Sequence, residues 1–157
     1  MTDHETEEEL VKRFLRYVKV PSQSEANGGT KVPSTESQWD MAHLLQKELA
    51  ELGAEDISLS EYCVLTARLP ANLPAGAPPA PAVGFCAHMD TVDVSLSPVV
   101  KPRRLHYEGG DIVLNERKNI VMRAAEHPEL APYVGQEIIV TDGTSVLGAD
   151  NKAAIAN

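Results

Sequence analysis

The sequence predicts an α/β sandwich whose supply of elements ends early. Three observations carry that prediction. Two amphipathic helical patterns open the chain, residues 82–87 form an uninterrupted apolar run typical of a strand covered on both faces, and extended and helical segments follow in turn.

Residues 5–19 place Leu10, Val11, Phe14, Leu15 and Val18 at helical spacing, with acidic residues in the first turn and Lys19 in the last, as the helix dipole favours. Val20-Pro21 ends this helix, because a residue before proline is pushed out of the helical region. The polar stretch 22–32, with Asn27-Gly28-Gly29, reads as a mobile loop. Thr35 with Gln38 has the pattern of a capping box, and Trp39, Ala42, Leu45, Leu49 and Leu52 then mark a second helix that stops at Gly53. Residues 57–59 and 64–69 flank the turn-like Ser60-Glu61 as extended chain or a hairpin. Residues 82–87 are the next strand, 119–126 a short helix stopped before Pro128, and 137–141 a further strand. Beyond Asp150, Lys152-Ala153-Ala154-Ile155-Ala156 starts a last helix.

The chain has 157 residues, enough for one domain that removes roughly two thirds of its unfolded surface from water. Its formal charge of −9 repels phosphate backbones and anionic membrane surfaces, so neither nucleic acid nor lipid is the expected partner. Small molecules, peptides or cations fit better. Prolines 70, 74, 78, 79 and 81 break the one long uncharged stretch, 69–87, so it is not a membrane helix. The acidic start, residues 1–9, lacks the basic and then apolar order of an export signal. Cys63 and Cys86 stand in apolar runs and read as buried free thiols of a reducing cytoplasm.

Two segments can carry chemistry. In the first, an apolar run passes directly into His88-Met89-Asp90-Thr91. Strand ends are where open α/β sheets bind ligands, and alternation would turn His88 and Asp90 the same way. Imidazole with carboxylate suits zinc or a similar divalent ion, although a polar strand end would look the same. Cys86 shares that face, yet residues two apart on a strand are separated by about 6.6 Å, too far for His88 to activate the thiol directly. In the second segment, Gly143 and Gly148 have the spacing of a phosphate loop, but Ala149-Asp150 stands where lysine and a hydroxyl residue are required. Asp150 there repels phosphate. It suits a cation site or, alternatively, the N-cap of the last helix. His4, His43, His106 and His127 read as solvated or packed.

Taken together, the chain resembles the amino-terminal part of the peptidase T branch of a di-zinc metallopeptidase family that also includes aminoacylases and related carboxypeptidases. The resemblance runs through Arg13-Phe14-Leu15, Val32-Pro33-Ser34-Thr35-Glu36 with Gln38-Trp39, Leu69-Pro70-Ala71-Asn72, His88-Met89-Asp90-Thr91, Tyr107-Glu108-Gly109-Gly110-Asp111, Thr141-Asp142-Gly143 and Leu147-Gly148-Ala149-Asp150. Asn151 and Ala154 depart from the residues most frequent at those positions.

The resemblance implies an incomplete α/β/α sandwich of a zinc-peptidase catalytic domain with a mixed sheet, spanning 1–157 and lacking the lid and dimerisation domain. It implies that His88 ligates one zinc, Asp150 bridges two, and Asp90 orients the His88 ring. It also implies a cis peptide at Asp150-Asn151 and a cytoplasmic aminopeptidase that acts on tripeptides, homodimeric at full length. The family's glutamate base and remaining ligands lie past the position of Asn157. The 157-residue chain alone is therefore expected to bind zinc weakly and to hydrolyse nothing. Competing readings are an α/β remnant that binds a peptide or partner without chemistry, and a di-zinc amidohydrolase acting on acylated amino acids.

Overall fold

Helix α1 spans Asp3–Tyr17 and α2 spans Ser37–Glu51 in a computed structural model, which describes residues 3–27 and 29–157. Met1, Thr2 and Gly28, which belong to the acidic start and the expected mobile loop, lie outside the described residues. Both helices follow their apolar stripes. Phe14 and Tyr17 from the first, with Val18 just past its end, pack with Met41 and Leu45 from the second and with Ala156 near the end of the chain. Such burial stabilises by about 1.5–3 kcal/mol for each large side chain, and this cluster is where the chain concentrates it. Beside it, Tyr17 donates its phenolic hydrogen to Glu48, which also accepts from Arg16 at 2.7 Å. Burial and this carboxylate push the Tyr17 phenol up to about 12.

The expected capping box is absent from α2. Its N-cap is Glu36, with no side-chain capping bond; Thr35 Oγ1 donates to the Gln23 carbonyl at 2.6 Å, and Gln38 reaches back to the hydroxyls of Ser34 and Thr35. Thr35 thus fastens the preceding loop rather than the helix.

Among the described residues six strands follow, in three two-stranded antiparallel sheets rather than one mixed sheet. Strand β1, Glu55–Leu59, pairs with β2, Leu65–Arg68, in a hairpin. Strand β3, Arg103–Tyr107, pairs with β6, Gln136–Val140, with Leu105 opposite Ile138. Strand β4, Ile112–Asn115, pairs with β5, Ile120–Met122. A 3₁₀ turn at Pro128–Tyr133 precedes β6, and α3, Ala149–Ala156, closes the described chain.

Two predicted elements are corrected. The helix expected at 119–126 is replaced by β5 and the turns on either side of it. The Asn115 side chain accepts from the Lys118 amide at 3.1 Å and Asn119 sits at φ 52°, so local turn chemistry and the β-branched Ile120 and Val121 favour a hairpin over a helix. The strand expected at 82–87 has no ladder partner among the described residues, and instead of being covered on both faces it leaves Phe85 96% exposed. A lone extended segment cannot satisfy its backbone groups as a strand does. Cys86 on this segment is therefore an exposed free thiol, whereas Cys63 is buried and free as expected. Among the described residues no helix is long and apolar enough to cross a membrane.

Candidate functional site

The segment after the exposed run is held at residues 89–91 by bonds to residues 22–24. Thr91 donates its amide to the Ser22 carbonyl at 3.0 Å, and its own carbonyl accepts the Ser24 amide at 2.9 Å. This makes a parallel bridge between Gln23 and Thr91. Ser22, only 1% exposed, also donates its hydroxyl to the Met89 carbonyl at 2.8 Å. Met89 lies between His88 and Asp90, and its side chain packs on the helical core.

Asp150 arrives from the other direction, at the start of α3. Gly148 turns the chain into this helix at φ 75°, a left-handed conformation natural to glycine. Its bare Cα lets Thr91 come close: a Cβ built there would lie 2.8 Å from Thr91 Cγ2. Asp150 and Asn151 have non-helical backbone angles, and the peptide between them is cis, as the resemblance implies. The reading of Asp150 as an N-cap is not met: Gly148 occupies that position and Asp150 turns its carboxylate to His88.

His88 Nε2 stands 3.0 Å from Asp150 Oδ1, across 62 residues of sequence. Its Nδ1 stands 2.9 Å from the Asp90 carbonyl and 3.2 Å from Asp90 Oδ1. A carbonyl only accepts, so Nδ1 carries a hydrogen and donates it to Asp90. Facing the acceptor-only carboxylate of Asp150, Nε2 must donate as well. The Asp150 carboxylate, aided by Asp90 and opposed by partial burial, accordingly holds the imidazole above the ordinary histidine value.

This arrangement can exchange a proton for a metal ion. With Nδ1–H committed to Asp90, removal of the Nε2 proton leaves a lone pair aimed at Asp150, the tautomer a divalent ion needs. Imidazole nitrogen and carboxylate oxygen are zinc donors in kind. In number they fall short: among the described residues no three His, Cys, Asp or Glu side chains form a group able to hold a metal. The site is also open. The side chains of His88 and Asp150 are 48% and 93% exposed, and an apolar cleft of about 550 Å³, lined by Tyr17, Leu45, Tyr62 and Phe85, leads up to the imidazole.

The remaining residues considered from the sequence stand elsewhere. Gly143, at φ 74°, is crowded by Ile120 and Leu114 and cradles nothing. Asp142 is held below the usual carboxylate range by Thr144 and, more weakly, by Lys101 at 3.2 Å. His106 and His127 pair with Glu137 and Glu129. Sequence reasoning missed Ser22 and Lys152. Lys152 is 2% exposed and donates from Nζ to the Val20 carbonyl at 2.8 Å, and burial lowers its ammonium to about 8. A lysine set among Ala153, Ala154 and Ile155 was the available signal.

No family model matches the chain. Individual relatives do match nearly all of it. It is 53% identical over 148 residues to a peptidase T-like protein of Yersinia pestis and 48% identical over 149 residues to one of Rhizobium meliloti. Peptidase T of Geobacillus thermodenitrificans is 45% identical over 150 residues. These alignments cover 94–95% of this chain but 35–36% of each relative, so the chain spans little more than a third of their length.

Proposed function

We propose, on the premise that nearly the whole chain is related to peptidase T, that these residues form one part of the catalytic domain of a zinc-dependent tripeptide aminopeptidase. In this reading the helices and small sheets are a portion of a zinc-peptidase α/β/α sandwich. The enzyme is cytoplasmic and dimeric when complete. The observation that carries the proposal is the approach of His88 Nε2 to Asp150 Oδ1 at 3.0 Å, two potential ligands from segments far apart in sequence.

His88 and Asp150 would hold the metal, with Asp150 bridging two zinc ions. When bound, the metal would supply Lewis-acid polarisation of the scissile carbonyl and a lowered pKa for water. The chain's own contribution is orientation. Asp90 takes the Nδ1 hydrogen, fixes the ring plane and keeps Nε2 free for the ion. Asp150, bonded to His88 through one oxygen and largely exposed, has its second oxygen available to a second ion. Two donors in an open, high-dielectric setting support weak metal binding and no turnover by the 157 residues alone, because a catalytic zinc normally takes three protein ligands.

The test joins residues 1–157 to the remaining sequence of the Yersinia relative. Hydrolysis of a free tripeptide, with its amino-acetylated form left intact and activity lost in His88→Ala and Asp150→Ala, is the expected result. Preference for the acetylated form would favour an amidohydrolase instead. Two tight zinc sites or tripeptide cleavage in the 157-residue chain by itself would overturn the assignment of only half a centre.

A further inference from the structure

The spacing between His88 and Asp150 is not set by either residue's own segment. Residues 87 and 88 make no backbone ladder among the described residues, and Asp150 sits on non-helical backbone at the head of a short helix. What the two segments share is a third one. Residues 20–24 hold the first through the Ser22 hydroxyl on Met89 O and through the paired backbone bonds to Thr91. The same residues hold the second through Lys152 Nζ on Val20 O. Both donor residues are buried, at 1% exposure for Ser22 and 2% for Lys152, so losing either bond would leave a buried polar group unsatisfied. The stretch is itself anchored on both sides. Val20 follows α1 with its amide on the Tyr17 carbonyl, and the Gln23 carbonyl accepts from Thr35 beside α2.

We propose that Ser22 and Lys152 are positioning residues of the cation site: they clamp the His88 and Asp150 segments to residues 20–24 and thereby set the separation of the two ligands. A buried ammonium is a costly way to tie a helix to a loop when an apolar side chain of similar length would pack there without desolvating a charge. Its directional bond to one carbonyl supplies what packing does not, a fixed position along α3. Ser22 does the same for the residue between His88 and Asp90. The bonds of both side chains go to backbone carbonyls, of Met89 and Val20, and not to His88 or Asp150. Each acts through the backbone of a neighbouring ligand.

The zinc part of this inference rests on the function proposed above, so two readouts are used on the 157-residue chain. The first is metal-free. Thr91 Cγ2 and Gly148 are close enough for a nuclear Overhauser effect between the Thr91 methyl and the Gly148 α protons, and that signal reports the approach of the two segments directly. The second is the zinc affinity read from the His88 ring ¹⁵N resonances during titration with Zn²⁺ alone. Ser22→Ala and Lys152→Met are expected to weaken the Overhauser signal and to lower zinc affinity about tenfold or more. Lys152→Met, which discards a buried charge, should keep or raise the melting temperature while doing so. Tyr107→Phe serves as control: its hydroxyl donates to the Gly110 carbonyl at 2.9 Å, away from the cleft, so the change should lower the melting temperature and leave zinc affinity alone. A merely structural role would make zinc affinity follow stability through all three variants. Unchanged Overhauser signal and zinc affinity in Ser22→Ala and Lys152→Met would overturn the clamp. If zinc fails to move His88 in the wild-type chain, the functional reading falls, and the metal-free signal still decides the clamp: its loss in the variants upholds it and its retention removes it.

Discussion

Gly148→Ala is the perturbation whose cost the structure defines best. The residue adopts φ 75°, and an alanine forced into the left-handed region costs about 1–2 kcal/mol. The new methyl would also lie 2.8 Å from Thr91 Cγ2, a contact that must be relieved by backbone or side-chain movement at about 1–3 kcal/mol. Together these give about 2–5 kcal/mol, measured as the change in urea unfolding free energy by circular dichroism. Gly53→Ala separates the two contributions, because Gly53 has φ 82° and nothing within 4 Å of its built Cβ. It should show the backbone cost alone. Thr91→Ser removes the clashing methyl while keeping the hydroxyl, so in the Gly148→Ala background it should restore most of the excess over Gly53→Ala. If Gly148→Ala costs no more than Gly53→Ala, or if Thr91→Ser gives no relief, the segments that carry His88 and Asp150 do not approach as described.

Further outcomes follow from other parts of the fold. Tyr17 has its phenol raised to about 12 in the folded chain, above the ordinary 10.0, so its contribution is fully present below pH 10 and is lost as pH rises through 12. Tyr17→Phe should destabilise by about 1–2 kcal/mol at neutral pH and should abolish this part of the alkaline loss, as read by urea unfolding across that window. Cys86 should react with a thiol reagent in the native chain, and Cys63 only on unfolding; equal rates would contradict their different exposure. Phe85→Ser should change unfolding free energy by no more than about 0.5 kcal/mol, since the ring is 96% exposed, while reducing any self-association seen by sedimentation.

The legible parts of this fold are those governed by local pattern. The α1 and α2 stripes, the β1–β2 hairpin and the presence of a helix over residues 152–156 all express residue spacing or local backbone chemistry, although α1 ends at Tyr17, before the expected stop at Val20-Pro21. The segment 82–87 was misjudged because its composition describes a strand with neighbours on both faces, and a neighbour is not a property of the segment. Asn115 and Asn119 turned 119–126 from the expected helix into a hairpin, since a side chain closing a turn outweighs a short run of helix formers. At the site, His88, Asp90 and Asp150 were recognisable by chemical type. Ser22 and Lys152 were not, because a serine in a polar loop and a lysine in an alanine-rich helix give no hint of a carbonyl partner supplied by tertiary packing.

The most direct measurement of the central claim is a double-mutant cycle on zinc affinity in the metal-free 157-residue chain, with His88→Ala and Asp150→Ala made singly and together. If the two side chains hold one ion, each single change removes the same weak site and the double variant binds no worse than either. Independent, additive losses, or wild-type affinity in either single variant, would mean that His88 and Asp150 do not share a cation.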